Sequence, residues 1–107
     1  MPIGRQVKIV SITGSSSSGS ATDIASGHAW IVAIVGPSEG TTYCRLPSGA
    51  EVGDVVEVYT DGSQFTHILA PANESYLPND SPSIGGSAGF GGVFCRKISA
   101  DTWVWIH

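Results

Sequence analysis

Apolar and polar residues alternate along this chain in short runs, separated at fairly regular spacing by clusters of Gly, Pro, Ser and Asn. An alternating run has the period of a β-strand, and no window of eleven or more residues shows the 3.6-residue period of an amphipathic helix. The pattern therefore predicts an all-β fold, a small antiparallel β-sandwich or barrel of about seven strands. The predicted strands are Val7–Thr13, His28–Val35, Thr41–Leu46, Val55–Thr60, Gln64–Ala70, Val93–Ile98 and Thr102–His107.

The segment Leu46–Gly62 carries the strongest local signal for this fold class. Its last two residues, Asp61-Gly62, stand between the predicted strands Val55–Thr60 and Gln64–Ala70. Asp-Gly between two alternating runs is typical of a tight β-hairpin, because both central residues of the favoured turn need a positive φ. We therefore expect these two strands to form a hairpin.

The run Ala29–Val35 is apolar at every position rather than at alternate ones. Strands that are buried on both faces have such continuous apolar sequences. We expect this strand to lie centrally in a sheet, with packing on each side.

Two segments interrupt the strand pattern. Gly14–Gly27 is rich in Ser and Gly, and Pro71–Gly92 is a long Gly/Pro-rich loop. Loops longer than about 12–15 residues are uncommon in compact domains and are often functional. The second segment also carries large apolar side chains, so we expect it to pack either on its own domain or on a partner. The expected organisation is an N-terminal strand or arm over residues 1–13 and a single β-domain over 14–107, with the loop over 71–92.

Composition narrows the possible partners of the 107-residue chain. Charged residues make up 13% of it, against a typical ~25%. The net charge is −4 and the five basic residues form no cluster, which argues against nucleic acid. Met1–Arg5 lacks the apolar segment of a secretory signal, and Ala29–Val35 is too short to cross a bilayer. We expect a soluble protein made in a cytoplasm, with no membrane partner.

Candidate catalytic and metal-binding residues do not form recognisable motifs. His28, His67 and His107 fall on three predicted strands, and their spacing gives no reason for them to converge on a metal. The run Ser15–Ser18 lacks the Gly-x-Ser-x-Gly setting of a nucleophile, and the glycines of 85–92 lack the Lys-Ser/Thr of a phosphate loop. We expect a protein that is not an enzyme, with no catalytic residues, no metal and no cofactor.

Cys44 and Cys95 occur in matching contexts, Tyr-Cys-Arg and Phe-Cys-Arg. On neighbouring strands they could come within disulfide reach. A secreted chain of this length would more often carry four to eight cysteines. The favoured interpretation is two reduced cysteines in the core, with a disulfide as the alternative.

Trp103 and Trp105 lie on one face of the last predicted strand. Such a pair could stack against a sugar. It could also close a core or fill a subunit contact, where aromatic residues are enriched. The second interpretation is favoured.

Several short motifs follow one another in a characteristic order: Leu46-Pro47, Val52-Gly53-Asp54, Asp61-Gly62, Ile84–Gly92 and Asp101-Thr102-Trp103. Over roughly residues 20–107 the chain resembles the small β-modules in structural proteins of tailed bacteriophages. Such modules occur in capsid decoration (cement) proteins and in tail-fibre or tail-tip proteins, usually as homotrimers. The chain holds one module without a repetitive shaft, which favours decoration of the capsid.

The resemblance implies a non-enzymatic virion structural protein on the capsid surface that binds and stabilises the head shell. Its partners would be the major capsid protein and further copies of itself, as a homotrimer. The alternative is a tail-fibre or tail-tip module that binds a host surface or glycan. The residues expected to contact the partner are Tyr76, Leu77, Ile84, Phe90, Ile3 and Arg5, and the alternative glycan or interface platform is Trp103 with Trp105.

Overall fold

The computed structural model describes residues 7–36, 40–60, 65–77, 79–86 and 91–107. Within these ranges the chain forms ten β-strands and one 3-10 turn, so the all-β prediction is confirmed. No helix in these ranges is long and apolar enough to cross a membrane. The strands are β1 (Lys8–Ile12), β2 (Thr22–Asp23), β3 (Trp30–Val35), β4 (Thr41–Arg45), β5 (Val55–Thr60), β6 (Phe65–Leu69), β7 (Ser75–Leu77), β8 (Ser83–Ile84), β9 (Gly92–Ser99) and β10 (Thr102–Ile106).

The strands form two sheets, and the chain passes from one to the other after each of the first six strands. The larger sheet has the order β1-β3-β5-β9-β10-β7, and the smaller sheet has the order β2-β4-β6-β8. In the larger sheet Lys8, Ile31 and Val56 are aligned, at spacings of 23 and 25 residues. The smaller sheet repeats at 22 and 24 residues through Thr22, Cys44 and Ile68. Strands β1 to β6 therefore make three stacked coils in a solenoid-like arrangement.

This arrangement corrects the predicted antiparallel sandwich or barrel. Strands β1, β3 and β5 pair in parallel, and so do β2, β4 and β6. The hairpin prediction was wrong as well, because β5 and β6 lie in different sheets. Asp61-Gly62 itself lies outside the described residues. The physical reason for both errors is that parallel and antiparallel strands share the same two-residue side-chain period, so alternation cannot tell a chain reversal from a corner between sheets.

All seven predicted strands are present, and β2, β7 and β8 are additional. Strands of two or three residues are too short to show an alternating pattern. Two of the additional strands, β7 and β8, lie within Pro71–Gly92. The described part of that segment therefore folds over its own domain and contributes one strand to each sheet.

The core lies between the two sheets. It is built from inward side chains that alternate along the central strands, and a hydrogen bond of 3.1 Å joins the buried hydroxyls of Thr42 and Thr66 on adjacent coils. Pairing these hydroxyls removes the cost of burying them alone. The large side chains that are almost fully buried include Ile24, Ile31, Val35, Leu46, Val56, Val58, Ile68, Ile84 and Trp103.

A buried ion pair joins the hairpin of β9 and β10 to the rest of the fold. The Lys97 ammonium lies 3.2 Å from Oε1 of Glu74, and the two side chains are only 6% and 10% exposed. Trp103 donates its indole N–H to the same oxygen at 2.8 Å, and Lys97 also donates to the Ala50 carbonyl at 2.9 Å. These contacts join β9 and β10 to the loops that precede β5 and β7.

Candidate functional site: the outer face of the larger sheet

Strand β3 packs on one side only. Ile31, Ala33 and Val35 point into the core, whereas Trp30 and Ile34 on the other side are 39% and 42% exposed. The expected burial of both sides is therefore confirmed for the inner side and wrong for the outer side. Strand β3 thus has a sequence typical of a strand buried on both sides, although the outer surface of its sheet faces solvent.

Strand register shows that the neighbours of β3 extend this apolar surface. Residues that pair with one another on neighbouring strands form rows across the larger sheet. Every second residue of a strand points to the same side, so every second row faces outward. Ten of the fourteen outward positions in the three rows are apolar or aromatic; Val55 among them is buried, at 2% exposed, and six others are at least 39% exposed. The rows, called the outer face from here on, are Trp30–Val55–Arg96–Val104–Leu77, Ile9–Val32–Glu57–Phe94–Ile106 and Ser11–Ile34–Tyr59–Gly92.

Glu57 organises the aromatic centre of the outer face. One carboxylate oxygen accepts a hydrogen bond from the indole N–H of Trp30, and the other accepts one from the Tyr59 hydroxyl. Trp30 also meets the Phe94 ring edge-on, with centroids 6.4 Å apart and an interplanar angle of 84°. Two of the three aromatic side chains are thus tethered to one carboxylate before any partner arrives.

Gly92 allows Tyr59 to lie across the neighbouring strand. A Cβ atom at this position would overlap the Tyr59 ring, so the ring occupies the space above the glycine backbone. Beside the ring is a shallow depression of about 300 Å³, which His107 also lines. The surface therefore offers a recess next to a fixed ring.

The Tyr59–Glu57 contact predicts a measurable pH effect. The hydrogen bond to Glu57, then partial burial and the carboxylate charge, raise the pKa of Tyr59 above its ordinary value. The folded state holds this proton more tightly than the unfolded chain, so the contribution to stability is present below the ordinary tyrosine pKa and is lost as pH rises through the raised one.

We expect an NMR titration of the Tyr59 ring carbon to show this raised midpoint, and Glu57→Gln to lower it because the charge is gone. Asp23→Asn, which removes an exposed acid in β2, should leave the Tyr59 midpoint unchanged. An unchanged midpoint in Glu57→Gln would mean that the carboxylate does not hold the phenol in solution.

The structure separates the loop residues that were expected to contact a partner. Tyr76 and Ile84 are buried, and the Tyr76 hydroxyl donates to the Ile68 carbonyl at 2.8 Å, so these two side chains belong to the core and are not open to a partner. They point inward because β7 and β8 complete the two sheets. Leu77 is 58% exposed and ends one row of the outer face. Ile3, Arg5 and Phe90 lie outside the described residues.

The predicted Trp103–Trp105 platform does not form. Trp103 is fully buried, and Trp105 is half-buried with its indole N–H donating to the Asp80 carbonyl at 2.9 Å. Both side chains point inward, since Trp103 aligns with the core residue Tyr76 and Trp105 with the core residue Cys95. Trp103 instead fills the core, as the favoured interpretation held.

Two of the three histidines, His67 and His107, have local partners. His67 stacks on Tyr43 of the adjacent coil, with ring centroids 5.1 Å apart, and its Nδ1 lies 2.8 Å from Ser83 Oγ. His107 meets the edge of Trp105. Across the described part of the chain, no three His, Cys, Asp or Glu side chains are grouped so that they could hold a metal ion.

Cys44 and Cys95 are free thiols, both buried in the core. Burial raises the pKa of Cys44 to about 12, and burial together with the nearby Cys44 raises the pKa of Cys95 further above its ordinary value. Protonated, buried thiols are poor nucleophiles. The favoured interpretation of two reduced core cysteines agrees with this arrangement.

The aromatic centre on β3, β5 and β9 was missed at the sequence level. Its members are far apart in sequence, and only the strand register brings Trp30, Glu57 and Phe94 together. The available signal was the unbroken apolar run of β3, which indicates two covered sides. Comparison with family models, curated proteins and solved structures finds no match for this chain.

Proposed function

We propose that this protein is a non-enzymatic structural module that packs the outer face of its larger sheet against neighbouring protein subunits. The observation that carries the proposal is the wide apolar outer face around β3. Monomeric proteins rarely expose contiguous apolar patches of more than a few hundred Å². A face of this kind, with few charges, has the composition of a subunit contact.

The outer face can supply binding energy at low entropic cost. Ile9, Leu77 and Ile106 are each more than half exposed, and burying such a side chain completely contributes up to about 1.5–3 kcal/mol. Trp30 and Tyr59 already have their polar atoms bound to Glu57. Side chains fixed in advance lose less conformational freedom when a partner covers them.

The resemblance to β-modules of tailed bacteriophages supports a virion as the setting. In this proposal the protein decorates the capsid, with the major capsid protein and further copies of itself as partners. The low content of basic residues argues against nucleic acid as the partner. Rigid β-domains that bridge neighbouring capsid subunits would stabilise the shell mechanically.

Binding to empty head shells tests the proposal. We expect the purified protein to bind shells of the phage whose genome carries its reading frame, and Ile34→Lys to weaken binding by about tenfold or more, because burying an unpaired ammonium is costly. Val52→Lys is the matched control, since Val52 is an exposed apolar residue in the loop before β5 and is not a member of the three rows of the outer face. Absence of shell binding, or equal weakening by both variants, would refute the proposal.

A glycan-binding tail module is the second candidate, and the Trp30–Glu57–Tyr59 group favours it. Exposed rings fixed beside a carboxylate combine a stacking surface with hydrogen-bond acceptors, which sugars use. In this case a glycan array would show a ligand whose binding is lost in Trp30→Ala, while shells would not bind. The two assays, run on the same preparations, decide between the candidates.

A further inference from the structure

We infer that the outer face pairs with the same face of a second copy of this chain. The two copies are related by a two-fold axis that lies between their two outer faces. This inference rests on the proposed function, because it names the subunit that covers the outer face, and it replaces the homotrimer that the resemblance implies by a two-fold dimer. The charges, the area and the shape of the outer face all suit a second copy.

The two charged residues of the outer face have opposite signs. Glu57 and Arg96 stand on the adjacent strands β5 and β9, and they are offset by two residues because Glu57 aligns with Phe94. Arg96 lies over the Phe94 ring at 5.9 Å and forms no salt bridge within the described ranges. Any partner that covers Arg96 must supply a carboxylate, since a desolvated guanidinium without one is strongly unfavourable.

A second copy supplies this carboxylate from its own Glu57 and places its own Arg96 beside the first copy's Glu57. A two-fold axis that passes between Glu57 and Arg96 places each residue opposite its counterpart, so two reciprocal ion pairs form together. The carboxylate of Glu57 keeps acceptor capacity after binding Trp30 and Tyr59, because its two oxygens offer about four lone-pair sites. The chain as a whole carries a net charge of −4, yet the paired charges make the outer face neutral and self-complementary.

The area is adequate for a specific contact between two copies. Six strands at about 4.8 Å spacing and about six residues at ~3.3 Å each span roughly 500 Å² in projection. Side-chain relief raises the accessible area above this projected value, toward the ~800 Å² per partner of standard interfaces. The area of the outer face therefore falls at the lower end of the range for specific interfaces.

Sheet faces that pack on each other need large side chains opposite recesses. The outer face presents both, since the Trp30 and Phe94 rings stand on it and the depression at Gly92 lies beside Tyr59. Packed sheets lie about 10 Å apart, with strands inclined by about 30°. Two copies in this geometry bury the apolar rows of both chains.

The test is the molar mass in solution, measured by analytical ultracentrifugation over a range of concentrations. The inference predicts a species of twice the chain mass of 11.1 kDa, which Val52→Lys retains and Ile34→Lys converts to monomer. Glu57→Arg and Arg96→Glu should each be monomeric, because each places like charges opposite one another. An equimolar mixture of these two variants should form a heterodimer, in which both ion pairs are restored with reversed sign at one position.

Three results would overturn the inference. They are a wild-type protein that stays monomeric at all concentrations, a mass of three chains, and charge variants that fold but fail to combine. Circular dichroism of each variant establishes that it is folded. A wild-type protein that is monomeric and binds shells would refute the pairing with a second copy but support the proposed function. A dimer that binds no shell would support the pairing but refute the proposed function.

Discussion

Replacing Glu74 by Ala is expected to lower the free energy of unfolding by about 3–5 kcal/mol, the usual cost of leaving a buried charge without its partner. The Lys97 ammonium would keep the Ala50 carbonyl and its position 5.9 Å from the Trp103 ring centroid but no carboxylate, and the Trp103 indole N–H would lose its acceptor. Both losses occur at side chains that are largely shielded from water. Urea unfolding, with midpoint and slope fitted separately, measures the change.

Two comparisons make this result specific to burial. Asp23→Ala breaks an ion pair with Arg45 of similar length, 3.3 Å, whose Asp23 side chain is 71% exposed, and should cost no more than about 1 kcal/mol. The double variant Glu74→Leu with Lys97→Met replaces both charges by apolar groups and should recover most of the loss. Equal costs for Glu74→Ala and Asp23→Ala would mean that the Glu74–Lys97 pair is solvated.

Trp103→Ala is expected to cost about 3–5 kcal/mol, because removing a fully buried aromatic side chain leaves a large cavity. Trp30→Ala deletes the same side chain from the outer face, where it is 39% exposed, and should cost about 1 kcal/mol or less. The same unfolding assay compares the two variants directly.

This comparison of tryptophans also tests which face of each strand is inside. If Trp30→Ala were the more destabilising change, the outer face would be part of the core and the proposed contact surface would not exist. If both variants were mild, the indole of Trp103 would not fill the space between the sheets. In the expected case, Trp30→Ala also remains folded and can be used in binding assays.

Sequence reasoning located the strands because each long strand alternates between a buried and an exposed side. It could not give their pairing, since alternation is identical in parallel and antiparallel sheets. The turn chemistry of Asp61-Gly62 favoured a hairpin between β5 and β6. In the structure β5 instead pairs with β3 and β9 in the larger sheet. The approximate 22–25-residue repeat of the coils is structural, and no shared motif marks it in the sequence.

The candidate site was predictable only in part. The apolar run of β3 predicted a strand covered on both sides, and within the described chain only the inner side is covered. The choice of Trp103 and Trp105 over Trp30 failed because strand pairing decides which side of a strand faces the core. The sequence does not show this pairing. Glu57 had no signal of its own, since its role comes from neighbours on β3 and within β5.

Hydroxyl-radical footprinting tests the central claim most directly, because it reports which side chains a partner covers whatever that partner is. The protein bound to head shells and the dilute protein are labelled in parallel and compared by mass spectrometry. We predict that labelling of Trp30 and Tyr59 falls several-fold on assembly, while that of Tyr43, on the smaller sheet, stays the same. Unchanged labelling of Trp30 and Tyr59 in the assembled state, with protection of Tyr43 instead, would contradict the outer face as the contact surface.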